Sequence, residues 1–114
     1  MKLHDAELRL MEIVWQGNMT AKEIALRAAE TIGWNKNTTY TVLKKLVDKG
    51  AILRKEPNFV CVPLIERKDV GREQTDSLID RLYGGSKKAF FAALIEDEGL
   101  SADELDQLKE LLNR

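Results

Sequence analysis

The chain opens with apolar residues that recur every three or four positions, a spacing that predicts amphipathic helices. The segment HDAELRLMEIVWQG carries the first such stripe, and Gly17 at its end is a typical helix stop. A second helix is predicted from about Ala21 to Thr31, because Thr20 and Glu23 have the spacing of a capping box, which satisfies two N–H groups at a helix start.

A third helix is predicted in WNKNTTYTVLKKLVDKG, with Asn35 as its N-cap and Gly50 as the residue that can turn left-handed after its end. One side of this helix is expected to face the core: Thr39, Val42, Leu43, Leu46 and Val47. The opposite side is polar and basic: Asn37, Thr41, Lys44, Lys45 and Asp48. Two such different faces indicate that the outer one is available for binding.

After the third helix the pattern changes to short apolar runs, which predict two strands, Ile52–Lys55 and Phe59–Val62. Pro57 and Asn58 have the chemistry of the turn between them. Pro63 closes the second strand, since a proline cannot donate a hydrogen bond to the ladder. The expected result is a two-stranded β-hairpin.

The rest of the chain predicts three more helices. The fourth lies in ERKDVGREQTDSLIDRLYGG, where apolar positions are sparse, and the fifth runs from Ser86 to about Glu98. The sixth runs from Ser101 to Asn113, and Ser101 with Glu104 repeats the capping-box spacing. The first 64 residues are too few to cover the apolar faces of these helices fully, so we expect a second chain to bury them.

Three helices followed by a hairpin is the order of a winged helix-turn-helix domain, whose third helix enters the major groove of DNA while the hairpin, or wing, flanks it. The predicted fold is therefore mainly α with a small β-hairpin, divided into residues 1–66 and a helical domain at residues 67–114. The candidate DNA-binding residues are Asn37, Thr38, Tyr40, Thr41, Lys44 and Lys45 on the third helix, and Arg54 and Lys55 on the wing. The alternative is a winged-helix module that binds protein and not DNA.

The net charge of −1 conceals an uneven distribution. Residues 1–68 carry 12 Lys and Arg against 8 Asp and Glu, a net of +4, whereas residues 69–114 carry 6 against 11, a net of −5. From Trp34 to Lys55 there are six basic residues and one acid. Because a basic region gains affinity for phosphate by releasing counterions and an acidic region is repelled, the two halves are expected to have different functions.

Composition narrows the remaining classes. With 114 residues, of which 44% are hydrophobic and 32% charged, the chain suits one globular domain or a small domain with an appendage. No apolar run approaches the roughly 20 residues that span a bilayer, and the N-terminal segment lacks the apolar core of a signal peptide. We therefore expect a cytoplasmic protein without membrane insertion.

Chemistry that needs clustered ligands finds no candidates. One cysteine, Cys61, and one histidine, His4, cannot form an intramolecular disulfide or a Cys/His zinc site. No phosphate-binding loop, glycine fingerprint or Ser/His/Asp set is present, so we expect no metal, no cofactor, no catalytic residue and no enzymatic activity. A redox role for Cys61 would require nearby positive charge to lower its pKa. Trp15 and Trp34 are expected to be core aromatics.

Five segments resemble the penicillinase and methicillin-resistance repressor family (BlaI/MecI/CopY): AELRLMEIVW, TAKEIA, WNKNTTYTVLKKLVDKGAI, YGGS and EDEGLSADELDQLKELL. The resemblance covers nearly the whole chain. It implies a homodimeric winged-helix transcriptional repressor that binds inverted repeats in promoter DNA, with a C-terminal helical dimerisation domain. The candidate dimer-interface residues are Leu78, Leu82, Phe90, Phe91, Leu94, Ile95, Leu105, Leu108 and Leu112. A two-fold dimer requires a palindromic operator.

The chain departs from the family pattern in two places. The β-lactam-responsive members are cleaved at an Asn-Phe bond in the fifth helix, which implies a membrane sensor protease as partner, and the corresponding position here is Ala93-Leu94. This departure argues against cleavage of this chain at that position. The copper-responsive members carry a C-terminal cysteine-rich metal motif, which a chain with Cys61 as its only cysteine lacks.

Overall fold

The computed structural model of the protein describes residues 1–97 and 99–112, the last two of them by backbone alone, and these residues form six helices and three short strands. The elements in chain order are α1 (Asp5–Val14), β1 (Met19–Thr20), α2 (Ala21–Thr31), α3 (Lys36–Asp48), β2 (Ile52–Lys55), β3 (Val60–Pro63), α4 (Arg67–Tyr83), α5 (Lys87–Glu96) and α6 (Ala102–Leu112). The predicted fold class is thus confirmed. None of the described helices is both long and apolar enough to cross a membrane.

Two compact units make up the chain, residues 1–73 and residues 74–114. Their boundary falls within α4, seven residues after the predicted division at 66/67, because Val70 is only 4% exposed and belongs to the hydrophobic core of the first unit. The first turn of α4 is therefore part of the first unit. The assignment of separate functions to residues 1–66 and 67–114 stays a prediction.

Side-chain caps fix where α2 and α3 begin, as predicted. The Thr20 hydroxyl accepts a hydrogen bond from the backbone N–H of Glu23 at 3.2 Å, and the Asn35 side chain accepts one from the N–H of Thr38 at 2.8 Å. Beyond the end of α3, Gly50 has a φ of +81°, a conformation that costs glycine little. These local signals explain why both helices agree with the sequence-based bounds.

In the second unit, α5 and α6 also begin with capping serines. The Ser86 hydroxyl accepts a hydrogen bond from the N–H of Ala89 at 3.0 Å. Ser101 and Glu104 form the predicted reciprocal pair, with 3.1 Å from the Glu104 N–H to the Ser101 hydroxyl and 3.3 Å from the Ser101 N–H to the Glu104 carboxylate. The predicted helix ends at Glu98 and Asn113 lie outside the described residues.

The predicted two-stranded hairpin is in fact part of a three-stranded antiparallel sheet in the order β1-β3-β2. Met19 pairs with Cys61, and Thr20 pairs with Val60. A strand of two residues carries no periodicity, which is why the sequence pattern did not reveal β1. The second hairpin strand also begins one residue later than predicted, since Phe59 has a φ of +51° and is not extended.

The core of the first unit lies between α1, α2, α3 and the sheet. From α3 it receives the predicted inner face, with Thr39, Val42, Leu43 and Leu46 buried and Val47 half-buried. Burial of a side chain of leucine size contributes roughly 1.5–3 kcal/mol, so this face holds α3 firmly in place. The single polar member, Thr39, donates its hydroxyl proton to the Asn35 carbonyl at 3.3 Å.

Both tryptophans are half-buried and pack against this core, which confirms their predicted structural role. The Trp15 indole N–H donates a hydrogen bond to the carbonyl of Ile65 at 2.9 Å, which ties the end of α1 to the segment before α4. The Arg67 guanidinium lies 5.3 Å from the Trp15 ring centroid and pairs with the Glu12 carboxylate at 2.5 Å.

A buried ion pair that sequence reasoning did not anticipate joins the start of α1 to the end of α3. The Glu7 side chain is only 3% exposed, and its Oε1 accepts hydrogen bonds from Lys49 Nζ at 2.7 Å and from the His4 N–H at 2.8 Å. Lys49 Nζ also donates to the carbonyl of Lys2 at 3.2 Å. Burial works to raise the pKa of Glu7, but the Lys49 and His4 hydrogen bonds outweigh it, so the pKa lies below its ordinary value.

We expect the substitution Glu7→Gln to lower the free energy of unfolding at pH 7 by about 1–3 kcal/mol, because Lys49 loses a charged acceptor. Since the folded pKa is lowered, this stabilisation is present above the ordinary pKa of 4.5 and is lost as the pH falls through the folded value. The difference between wild type and variant should therefore shrink on acidification. Urea denaturation at a series of pH values measures it.

Glu12→Gln is the matched control, because the Glu12–Arg67 pair is exposed and such pairs contribute only about 0–1 kcal/mol. If Glu7→Gln and Glu12→Gln had the same small effect at every pH, the Glu7–Lys49 pair would not have the structural role assigned to it.

Candidate nucleic-acid interface

The outer side of α3 presents an open polar surface, the α3 polar face, which we define by five exposed residues: Asn37, Thr38, Thr41, Lys44 and Lys45. All five were predicted as DNA-binding residues. The inner side of the same helix is buried, so these side chains cannot rotate into the core without unpacking α3. The sequence thus places amide, hydroxyl and ammonium groups together on one solvent-facing surface.

Hydrogen bonds within α3 limit how two of these side chains can act. The Thr41 hydroxyl donates its proton to the Asn37 carbonyl at 2.9 Å, which leaves the oxygen free to accept a hydrogen bond from outside. The N–H of Thr38 is already bound to the Asn35 cap, whereas its side chain is exposed. The polar face therefore offers acceptors near the start of the helix and two lysine cations further along.

Tyr40 occupies a different environment from the rest of the predicted set. It is half-buried, and its ring meets Phe59 edge-on, with centroids 6.3 Å apart and an interplanar angle of 77°. Lys36 Nζ lies 5.8 Å from the centre of the Tyr40 ring. Tyr40 thus packs α3 against the hairpin, and its contact with DNA stays a prediction.

The wing is the hairpin β2–β3 with its tip at residues 56–59. Arg54 and Lys55 are both exposed, as a surface that meets phosphate requires. The Arg54 guanidinium carbon lies 3.8 Å from the Phe59 ring centroid, and Arg54 Nε donates to Glu56 Oε1 at 2.5 Å. Phe59 therefore contacts both the wing arginine and Tyr40 of α3.

Phe59 and Glu56 were not predicted as members of this surface. Glu56 has two neighbours of opposite charge in sequence, but sequence alone does not show which side of the hairpin each occupies. Phe59 was assigned to a strand, where only its alternation could be used. The turn conformation, with Asn58 at a φ of +74° and Phe59 at +51°, brings both residues to Arg54.

In the second unit, the residues predicted to form a dimer interface leave much apolar surface exposed. Leu82 is 70% exposed, Ile95 is 51% exposed and Leu94 is 40% exposed. The others that can be described are half-buried: Leu78, Phe90, Phe91, Leu105 and Leu108. The side chain of Leu112 lies outside the described part of the chain.

The aromatic residues of this unit pack on one another. Tyr83 and Phe90 meet edge-on with centroids 5.5 Å apart, and Phe90 and Phe91 are 5.6 Å apart. Ala93 and Leu94, which occupy the position of the family's cleavage bond, lie inside α5 and line a shallow cavity of about 390 Å³ together with Tyr83.

Cys61 is fully buried on β3. Burial raises the pKa of its thiol to about 11, and the charge of Arg54 offsets this only in part. Since the thiolate is the reactive form, Cys61 is an inert core residue at neutral pH. In the part of the chain that the structure describes, no group of three or more His, Cys, Asp and Glu side chains is arranged to hold a metal ion.

Comparison with known proteins agrees with this geometry. The penicillinase repressor family model matches residues 3–114. The penicillinase repressor of Bacillus licheniformis is 27% identical over 114 residues, covering 97% of this chain and 89% of the relative. The methicillin resistance regulatory protein MecI of Staphylococcus aureus (strain N315) is 28% identical over 120 residues, covering 99% and 94%.

A solved structure gives the same result for the fold. The solution structure of the DNA binding domain of the repressor BlaI matches with a TM-score of 0.56 and 30% sequence identity, covering 60% of this chain and 87% of that one. Its winged-helix architecture agrees with the first unit described above. Because the family model spans nearly all of the sequence, this chain belongs to the penicillinase repressor family.

Proposed function

We propose that this protein is a homodimeric transcriptional repressor that binds a palindromic operator in promoter DNA through α3 and the wing. Family membership supports the coarser part of this statement, a DNA-binding transcriptional repressor. The observation that carries the finer part is the α3 polar face, which is open to solvent beside two exposed wing cations, Arg54 and Lys55.

The side chains of the α3 polar face have the chemistry that DNA recognition needs. An asparagine such as Asn37 can form two hydrogen bonds with the edge of an adenine, and a threonine such as Thr41 can bond to several bases. Lys44 and Lys45 can neutralise phosphates, as can Arg54 and Lys55 on the wing. Base contacts would come from the first half of α3 and most phosphate contacts from the lysines and the wing.

The charge distribution supports the same orientation. The segment from Trp34 to Lys55 carries six basic residues against one acid, whereas residues 69–114 carry a net of −5. Repulsion between this acidic region and phosphate would favour complexes in which only the first unit contacts the duplex. Repression then follows from occupation of promoter DNA that polymerase needs.

Exposed apolar side chains of the second unit support dimerisation. Leu82, Leu94 and Ile95 are each at least 40% exposed, which is unfavourable for a lone chain in water. A second copy would bury them in a two-fold interface, and two copies of α3 would then read two identical half-sites. The operator is therefore expected to be a palindrome.

Release by a membrane sensor protease is not part of this proposal. Ala93 and Leu94 replace the expected Asn-Phe pair, and both lie inside α5, so cleavage would require that helix to open locally. A signal that releases DNA without cutting this bond fits the chain better.

Lys44→Ala should weaken binding to any duplex, because a lysine on the polar face contacts phosphate and not a particular base. The slope of log K against log salt concentration should become less steep by about 0.9, and affinity should fall about 3- to 10-fold at low salt. Fluorescence anisotropy with a random 30-base-pair duplex, repeated at several salt concentrations, measures both. The probe length is a choice of about 30 base pairs, long enough for two half-sites.

Lys109→Ala is the matched control, since it removes the same charge from an exposed site on α6. Equal behaviour of the two variants, or wild-type binding that is insensitive to salt, would favour the alternative of a protein-binding module.

Asn37→Ala should affect specific binding and leave non-specific binding nearly unchanged. If Asn37 bonds to a base edge, its loss costs about 1–3 kcal/mol on a duplex that the wild-type protein has selected from a random library. The random duplex should be bound as before. A loss of the same size on both duplexes would assign Asn37 to the phosphate backbone and not to base recognition.

Leu108→Asp should convert the dimer to a monomer, because a carboxylate would be buried in an apolar interface. Sedimentation velocity measures the mass, and affinity for the selected duplex should fall at least about tenfold, since each monomer then binds one half-site only. Leu26→Asp is the control: Leu26 is 61% exposed on α2 of the first unit. A Leu108→Asp protein that remained dimeric would show that α6 does not form the interface.

A further inference from the structure

The wing arginine is already engaged by a carboxylate of the same hairpin. Arg54 Nε donates to Glu56 Oε1 at 2.5 Å, while the guanidinium lies against the Phe59 ring at 3.8 Å from its centroid. One edge and one face of the guanidinium are thus occupied. Both members of the pair remain half exposed or more, at 50% and 59%, so solvent and other anions can reach them.

The Glu56 carboxylate is held in this position by the turn. Its second oxygen, Oε2, accepts a hydrogen bond from the backbone N–H of Phe59 at 3.4 Å. The hydrogen bond from Arg54 lowers the pKa of Glu56, with a smaller contribution in the same direction from the Phe59 N–H, so the group is ionised at neutral pH. A fixed negative charge therefore lies beside the arginine that the wing would offer to DNA.

A carboxylate and a phosphate bind a guanidinium in the same way, through charge-assisted hydrogen bonds to its N–H groups. They are therefore competitors for Arg54. Glu56 is tethered two residues away and has a high effective concentration at Arg54, whereas a phosphate must be brought there by the complex.

We propose that Glu56 is a built-in competitor for phosphate at the wing, which restrains the contribution of Arg54 to binding of arbitrary DNA. This inference rests on the proposed function, since it assumes that the wing meets phosphate. In a non-specific complex α3 has no fixed register, so no phosphate is held opposite Arg54 and Glu56 keeps the guanidinium. When α3 seats on its operator, the neighbouring phosphate is held in place and displaces Glu56.

Glu56 is thus a specificity-determining residue that contacts no base. Its effect lies in the difference between two binding modes, because it lowers the affinity of the loose mode more than that of the seated one. The carboxylate also repels phosphate directly, and the two effects can be separated because only the first depends on Arg54.

The test is Glu56→Gln, which keeps the shape and an acceptor oxygen but removes the charge. Affinity for a random 30-base-pair duplex of about the length of two half-sites should rise about 3- to 10-fold at low salt, and the salt slope should steepen by about 0.9, as for one added phosphate contact. Affinity for the selected duplex should rise less, so the ratio of specific to non-specific affinity should fall.

Glu30→Gln is the matched control, because it removes one exposed carboxylate from the same unit. The wing tip is bound to the start of α2, where the Ala21 N–H donates to the Phe59 carbonyl at 2.9 Å. Glu30 lies nine residues further along that helix, about 13 Å at 1.5 Å per residue, beyond the screening length of about 8 Å at physiological salt. Its substitution should leave both affinities and the salt slope unchanged.

A double-mutant cycle with Arg54→Ala completes the experiment. The effect of Glu56→Gln should disappear in the Arg54→Ala background; if it persisted in full, direct repulsion and not competition would explain it, and the proposal would be wrong. The proposal would also be wrong if Glu56→Gln and Glu30→Gln bound alike while the wild type showed strong salt-dependent binding. Wild-type protein without salt-dependent binding would instead overturn the proposed function, and this inference with it.

Discussion

The burial of one side of α3 is the constraint on which the rest of the arrangement depends. Leu43 and Leu46 are fully buried against α1 and α2, so the helix has one possible orientation in the first unit. The opposite side is then exposed by geometry, since residues three and four apart share a face of a helix. The Glu7–Lys49 pair fixes the end of the same helix to the start of α1. Core packing therefore decides which side chains are offered to DNA.

The wing is positioned by a second, smaller contact, in which Phe59 links α3 to the hairpin. Its edge-on contact with Tyr40 and its contact with the Arg54 guanidinium place the wing cation beside the α3 polar face. The same turn brings Glu56 to Arg54. In this account affinity and restraint are built from neighbouring residues: lysines and an arginine attract the phosphate backbone, and one carboxylate limits how much of that attraction is available to any sequence.

Much of this could be predicted from the sequence because the signals were local. Caps at Thr20 and Asn35 and the apolar spacing of α3 depend on residues a few positions apart, and the bounds of α2 and α3 followed from them. What could not be predicted depended on contacts between distant segments. Strand β1 exists because Met19 pairs with Cys61, and Glu7 is buried because Lys49 lies over it. The shared environment of Arg54 and Glu56 depends on a turn conformation that the letters EPNF do not specify.

The central claim, that the α3 polar face and the wing form the DNA-binding surface, is tested most directly by titrating ¹⁵N-labelled protein with the selected duplex and following its amide resonances. The account predicts that the largest shifts fall on residues 36–45 and 54–59, with α6 little changed. Shifts concentrated in residues 74–114, or shifts on the first unit that avoid α3, would contradict it.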